Sequence, residues 1–211
     1  MSAVSDPRPD LRDFSFAGLT AFVVERLGER PFRAKQIFEW LYKAQVSSID
    51  EMTNLSLALR EKLGEHCRLE ALTPSAVSEA GDGTSKLQFT LRDGSAIESV
   101  LIPAVGRNTL CVSSQVGCAM RCAFCYTGSL TLQRSLTTSE IIGQYMGASR
   151  LLGPDGRIGN VVFMGMGEPL ANFENVLAAC ELLTDPRGFN LATRHVTVST
   201  CGLVPKITEL A

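Results

Sequence analysis

The 211-residue sequence predicts an α/β protein: a small helical bundle, a β-hairpin, and then a parallel sheet whose strands alternate with helices. Three observations carry that expectation. Apolar residues recur at helical spacing as far as Leu63, the pattern changes to period two after Pro74, and strand-like and helix-like runs alternate from Thr109 onward.

Residues 1–20 read as a flexible leader, because prolines, aspartates and arginines are scattered there without periodicity. Residues 21–72 read as a helical domain. AFVVERLG opens it, RPFRAKQIFEWLYKA places Phe32, Ile37, Phe38 and Leu41 near helical spacing, and TNLSLALREKL sets Leu55, Leu59 and Leu63 four apart. Pro31 marks a helix start and Gly64 the end of the last helix. Residues 73–103 read as a β-hairpin connector, since KLQFTL and SAIESVLIP alternate on either side of Arg92-Asp93-Gly94. Residues 104–211 then supply a strand (TLCVSSQ), a helix capped near Thr138 or Ser139, a buried strand (NVVFMG), a helix (NFENVLAACELLTD) and a strand (HVTVST).

A hydrophobic fraction of 45% with 20% charged residues is that of a folded globular chain. No apolar run approaches the roughly 18–20 residues of a membrane helix. The polar start has no signal-peptide core, so a cytoplasmic protein with no membrane partner is expected; a monomer is expected as well. A net charge of -2 excludes a generic polyanion binder and leaves nucleic-acid affinity to a local patch. Seven cysteines, three of them within eight residues, do not make a secreted disulfide framework and point to ligand or redox chemistry.

The densest signal is Cys118-Ala-Met-Arg-Cys122-Ala-Phe-Cys125. Three thiolates on one loop can hold three irons of a [4Fe–4S] cubane and leave the fourth iron without a protein ligand. That open iron can chelate the amino and carboxylate groups of S-adenosylmethionine and pass it an electron. A structural zinc site wants four ligands in paired spacings; no second pair exists here, and only Cys111 or His195 could add a fourth.

A CxxxCx(aromatic)C run after a strand resembles the signature of the radical S-adenosylmethionine superfamily. TLCVSSQVGCAMRCAFCYTG, VVFMGMGEPLAN and HVTVSTCGLVPKI, with RPFRAKQIFEWLYK and EMTNLSLALREKL before them, resemble the RlmN family from about Ala21 to the last residue. The resemblance implies an incomplete, TIM-like partial (β/α) barrel with the cluster at the strand C-terminal ends, lacking its C-terminal strands here. It implies methylation of adenine C2 in 23S rRNA and tRNA through a methyl-cysteine intermediate, with an electron donor such as a flavodoxin. With the barrel incomplete, no turnover is expected of the chain as given. A sister family, Cfr, methylates adenine C8 with similar apparatus, and a non-catalytic, metal-structured RNA-binding protein is the alternative outside enzymes.

Residue by residue, the resemblance makes Cys118, Cys122 and Cys125 the metal ligands. It makes Gly167, Glu168 and Ser199 cofactor contacts, with Glu168 receiving the amino group. Without it, Gly165–Pro169 reads equally as a tight turn with a capping glutamate, and Ser199 as a strand-end cap. Glu98 shares a strand face with Val100 and Ile102; on an apolar face its pKa should rise, which suits a general base, while an exposed edge charge is the plain alternative. The resemblance makes Glu98 the proton acceptor and Cys111 the partner of a transient disulfide with a cysteine outside this sequence. Cys67, Cys180 and Cys201 read as small packing residues. Arg30, Arg33, Lys35, Trp40, Tyr42 and Lys43 could form an RNA-contacting face, as the family's N-terminal module implies, or a solvated face around a buried tryptophan.

Overall fold

The computed structural model describes residues 6–153 and 156–210. The chain divides into two compact units, one running up to Ala71 and including Glu181–Asn190, the other formed by Leu72–Cys180 and the chain from Leu191 on.

In the first unit, helices α1 (Phe16–Ala21), α2 (Phe32–Tyr42) and α3 (Leu57–His66) bury the expected apolar spacing. Ile37, Phe38, Leu41, Leu55, Leu59 and Leu63 are buried, whereas Phe32 is exposed. Pro31 sits at the N-cap of α2. Gly64 lies inside α3 and does not end it; Cys67 is the C-cap, fully buried. Tyr42 is core, its ring tilted against Phe38, which meets Phe16 edge to face, and is not part of a surface face. Trp40 is part-exposed and donates to Asn54 Oδ1 at 2.5 Å.

The leader expectation needs correcting over its described part. Leu11 is fully buried, and the Asp10 carboxylate accepts from Arg12 Nε and Nη2, both at 2.8 Å, with both residues almost wholly enclosed. A bidentate pair out of water is held only when further bonds satisfy it. Here Arg12 N donates to Asp10 Oδ1 at 3.0 Å, Arg12 Nη2 also donates to Glu70 O, and Arg68 Nη1 lies 3.7 Å from Asp10 Oδ2, while the backbone of Arg68 fixes the segment through Leu11 N and Pro9 O. Residues 1–5 of the proposed leader lie outside the described residues.

The second unit is a six-stranded mixed sheet in the order β1-β2-β3-β4-β7-β8. Strands β1 (Pro74–Glu79), β2 (Ser85–Thr90), β3 (Ala96–Ala104) and β4 (Arg107–Cys111) form an antiparallel meander, and β7 (Ile158–Phe163) and β8 (Val196–Val198) continue it in parallel. The connector is therefore not a separate hairpin: β3 pairs directly with β4, and β1 adds a strand. Between β4 and β7 lie a two-stranded ribbon, β5 (Gln115–Val116) with β6 (Arg134–Ser135), and helix α4 (Thr138–Leu152). Helix α5 (Phe173–Thr184) joins β7 to β8, and α6 (Val204–Leu210) follows. The α4 cap is Thr137, in a capping box with Glu140.

Leu87, Phe89, Ile97, Leu101, Leu110, Val161 and Phe163 are buried, with Ser99 among them on β3. Gln144 of α4, wholly buried, holds this layer together. It accepts from Ser99 Oγ at 2.6 Å and Ser113 N at 2.8 Å and donates to Ser113 O at 3.0 Å. A buried amide with its bonds made is a modest stabiliser, but unmade partners cost far more. Gln144→Leu leaves Ser113 N–H and Ser99 without their acceptor, and should lower unfolding stability by about 1–3 kcal/mol in urea titrations of the chain.

Candidate metal centre

The site grows from the C-terminal ends of the three parallel strands, the ordinary position for function in α/β folds. The segment after β4 (Val112–Gln115) and the turn after β7 (Gly165–Glu168) approach so closely that side chains are excluded. A Cβ on Gly165 would lie 2.7 Å from Ser113 Oγ and Val112 O, and one on Gly167, at φ +100°, would lie 2.5 Å from Gln115 Cβ. Across this contact Ser114 N and Gln115 N donate to Met166 O at 2.8 and 3.1 Å, Met166 N donates to Ser113 Oγ at 2.9 Å, and Glu168 N donates to Gln115 Oε1 at 2.9 Å. The two glycines answer first to packing between backbone segments; Gly165 and Gly167 also reach the recess described next.

The cysteine loop leaves this contact through β5 and returns through β6. Arg134 pins the return, giving two bonds to Glu140 at 2.7 and 2.8 Å and one to Asp93 at 2.6 Å. Arg134 holds the Asp93 carboxyl down to about 2. Within the loop Cys125 N donates to Cys122 O at 3.0 Å, and Met120 N approaches Cys118 Sγ at 3.5 Å.

Cys118, Cys122, Cys125, Gly167, Glu168 and Ser199 all line one recess of about 290 Å3. Among the described residues no three His, Cys, Asp or Glu side chains converge on a point fit for a single metal ion. The seven cysteines are free thiols. Phe124 and Tyr126, on either side of Cys125, are strongly exposed.

Glu168 is buried and is the carboxylate of the recess. Its Oε1 accepts from Leu170 N at 3.0 Å and Thr200 Oγ1 at 2.7 Å, and its Oε2 from Cys201 N at 2.8 Å. Burial pushes this carboxyl up, but donation from Cys201, Thr200 and Leu170 outweighs it and leaves the pKa below the ordinary glutamate value. Capping and pocket-lining thus coincide in one side chain. Ser199, just past β8, is exposed in the same lining.

Cys201 is a correction to the sequence reading: it is exposed in the recess, not packed in a core. Its thiol donates to Glu168, and desolvation followed by that carboxylate raises its pKa to about 11. Thr200, Cys201 and the Ser113–Gln115 run were given no role from sequence. The signal for the last was present, as three polar residues in a row at the end of the predicted strand TLCVSSQ.

Glu98 and Cys111 lie outside the recess lining. Val100 pairs with Cys111, so Glu98 and Cys111 are diagonal neighbours on one face of the sheet. That face is not the apolar enclosure expected for Glu98. Its buried neighbours Ile97, Ser99 and Leu101 point the other way, and the half-exposed Glu98 carboxylate pairs with Lys86 at 3.0 Å. Cys111 is buried, and burial pushes its thiol up against donation from the Met164 N–H; Met164 in turn lines the recess. His195 pairs with Asn160 at 2.7 Å and is no part of the site.

Two family models match the chain: the ribosomal RNA large subunit methyltransferase N-terminal domain over residues 9–69, and the radical SAM superfamily over residues 112–211. The dual-specificity RNA methyltransferases RlmN of Geotalea uraniireducens and Pelobacter propionicus are 50% and 49% identical to it, over 95% and 96% of this chain. Over nearly all of its length the chain is similar to RlmN methyltransferases. It spans 57% of the length of either of these RlmN relatives. A crystal structure of a radical SAM methyltransferase from Sphaerobacter thermophilus superposes with a TM-score of 0.87 at 40% identity, over 96% of this chain and 60% of that one.

The cofactors of the radical SAM superfamily are a [4Fe–4S] cluster and S-adenosylmethionine. The recess fits them in the chemistry of its donors: three free thiols on one loop, and an ionised, buried carboxylate opposite, able to accept from an ammonium group.

A lowered carboxyl pKa is also a stability statement. Glu168 contributes stability that is fully present above the ordinary glutamate range and is lost as pH falls through its lowered folded value. Glu168→Gln should therefore destabilise the chain at neutral pH and flatten its loss of stability on acidification, as read by denaturant midpoints across that pH range. An unchanged acid slope would remove Glu168 from the account.

Proposed function

We propose that this protein is a radical S-adenosylmethionine methyltransferase that methylates C2 of adenine in 23S rRNA and tRNA. The observation that carries the reading is the gathering of Cys118, Cys122, Cys125, Glu168 and Ser199 on one recess at the C-terminal ends of parallel strands. The similar proteins support the substrate class: the RlmN relatives are dual-specificity RNA methyltransferases.

Cys118, Cys122 and Cys125 would hold the cluster, which when bound supplies the electron for reductive cleavage of S-adenosylmethionine. Radical chemistry suits the target, because C2 of adenine is too poor a nucleophile for direct displacement on a sulfonium. The chain's own residues then bind and orient. Glu168, ionised, accepts from the amino group of the cofactor, while Gly167 and Ser199 flank it. Glu98 is assigned proton removal from adenine C2: its half-exposed carboxylate is open to a substrate, and the Lys86 ammonium fixes its position. Cys111, a diagonal neighbour of Glu98, is assigned a transient disulfide with a second cysteine.

The helical unit is the proposed RNA-recognition module, with Arg30, Arg33, Lys35, Trp40 and Lys43 as candidates and Tyr42 withdrawn to the core. A flavodoxin-like electron donor, a monomeric state and a cytoplasmic location complete the proposal. No helix among the described residues is long and apolar enough to cross a membrane.

Deletion of the gene that encodes this chain should abolish 2-methyladenosine in both 23S rRNA and tRNA, as read by mass spectrometry of digested nucleosides. Unchanged 2-methyladenosine would overturn the proposal. Loss of 8-methyladenosine instead would move the protein to C8 chemistry.

A further inference from the structure

The recess contains one more thiol than the three-cysteine signature requires. Of the seven cysteines, Cys118, Cys122, Cys125 and Cys201 line it, while Cys67, Cys111 and Cys180 do not. Cys201 arrives from a different element, the turn between β8 and α6, yet its thiol lies within electrostatic range of Cys122 and donates to Glu168. The turn is held by backbone and by Thr200. Cys201 N donates to Glu168 Oε2 at 2.8 Å and Gly202 N to Thr200 Oγ1 at 3.1 Å. The Cys201 residue is exposed, and its thiol adds only a weak donor to a turn that the backbone N–H and Thr200 already hold. A small hydrophobe would fill the same place equally well, so packing gives no reason for sulfur there.

We propose that Cys201 is a displaceable fourth ligand of the cluster, its thiolate closing the iron that Cys118, Cys122 and Cys125 leave open whenever S-adenosylmethionine is absent. The inference rests on the proposed function, since it needs the cluster in this recess. Four thiolates are the complete donor set of an ordinary cubane, and a cubane with an open corner is prone to lose that iron. Metal coordination draws the proton from a thiol. Ligation would break the Cys201 S–H bond, release its proton to solvent and form one bond from the thiolate to the open iron. Cofactor binding would break that bond, S-adenosylmethionine would replace the thiolate on the iron, and the thiolate would recover a proton from solvent. No electron moves in either direction.

Glu168 couples the two states. An ionised carboxylate offers about four acceptor positions. Leu170 N, Thr200 Oγ1, Cys201 N and the Cys201 thiol engage it here. The thiol is the weakest of these donors, so an arriving ammonium group displaces it and not the backbone or the hydroxyl. The same event that seats the cofactor thus removes Cys201 from the neighbourhood of the iron.

The test compares the chain with Cys201→Ser and Cys201→Ala after anaerobic reconstitution with iron and sulfide, followed by mild oxidation with ferricyanide. Circular dichroism first establishes that the variants are folded. Without S-adenosylmethionine, the [3Fe–4S] electron paramagnetic resonance signal should be several-fold larger in both variants than in the parent. With saturating S-adenosylmethionine the three proteins should give the same small signal. Equal signals without cofactor, on clusters of equal iron and sulfide content, would overturn the role of Cys201 and leave the proposed function standing. Failure of the parent itself to take up iron and sulfide would overturn both.

Discussion

The structure depends on one close approach: the backbone after β4 lies against the turn after β7 at a distance that admits no Cβ on Gly165 or Gly167. Because the gap is so narrow, hydrogen bonds can cross it, and five do so between Ser113–Gln115 and Met166–Glu168, four of them from backbone N–H groups. Two loops that would otherwise be independent become one rigid floor. The cysteine loop is attached to one side of that floor and Glu168 to the other, which is why thiols and carboxylate meet in a single recess. Larger residues at either glycine would separate them, and the cost would fall on the site before it fell on the sheet.

Around this floor the polar groups are arranged to hold position without mobility. Gln144 ties Ser113 to α4 and to Ser99 of β3, Asn172 donates to Ser114 O and Leu136 O at 2.8 Å each, and Arg134 anchors the returning strand of the cysteine loop. Every one of these is a buried or part-buried bond, so each is costly to break and specific in direction. The thiols themselves are treated differently. Cys118 is buried, Cys122 half-buried and Cys125 exposed, so the loop grades from the floor toward solvent, as a site that must receive and grip a bulky inorganic group requires.

Much of this was legible in the sequence wherever hydrophobic period and turn chemistry act locally. The four-apart leucines of α3, the Asp-Gly turn joining β2 to β3, the buried run of β7 and the cysteine spacing all report on near neighbours. The failures share a cause, which is order imposed from far along the chain. Strand β1 is exposed at nearly every position and is held by backbone pairing to β2, so it has no apolar alternation to read. The Asp10–Arg12 segment looks like a polar leader until Arg68, far along the chain, closes over it. Glu98 was placed on the correct face, but alternation cannot say which of two faces a sheet covers. The exposure of Cys201 follows from the capture of its N–H by Glu168, a contact between separate turns that no local pattern encodes.

In the proposed reading, the recess holds a cubane by three signature thiolates and offers its remaining iron to the amino group of S-adenosylmethionine, with Glu168 alongside. The most direct measurement is electron–nuclear double resonance on the reduced, reconstituted chain with S-adenosylmethionine carrying 15N in its amino group. The account predicts a 15N coupling to the cluster that is present in the parent protein and weakened or lost in Glu168→Ala. A reduced cluster whose spectrum shows no 15N coupling at saturating cofactor would contradict it.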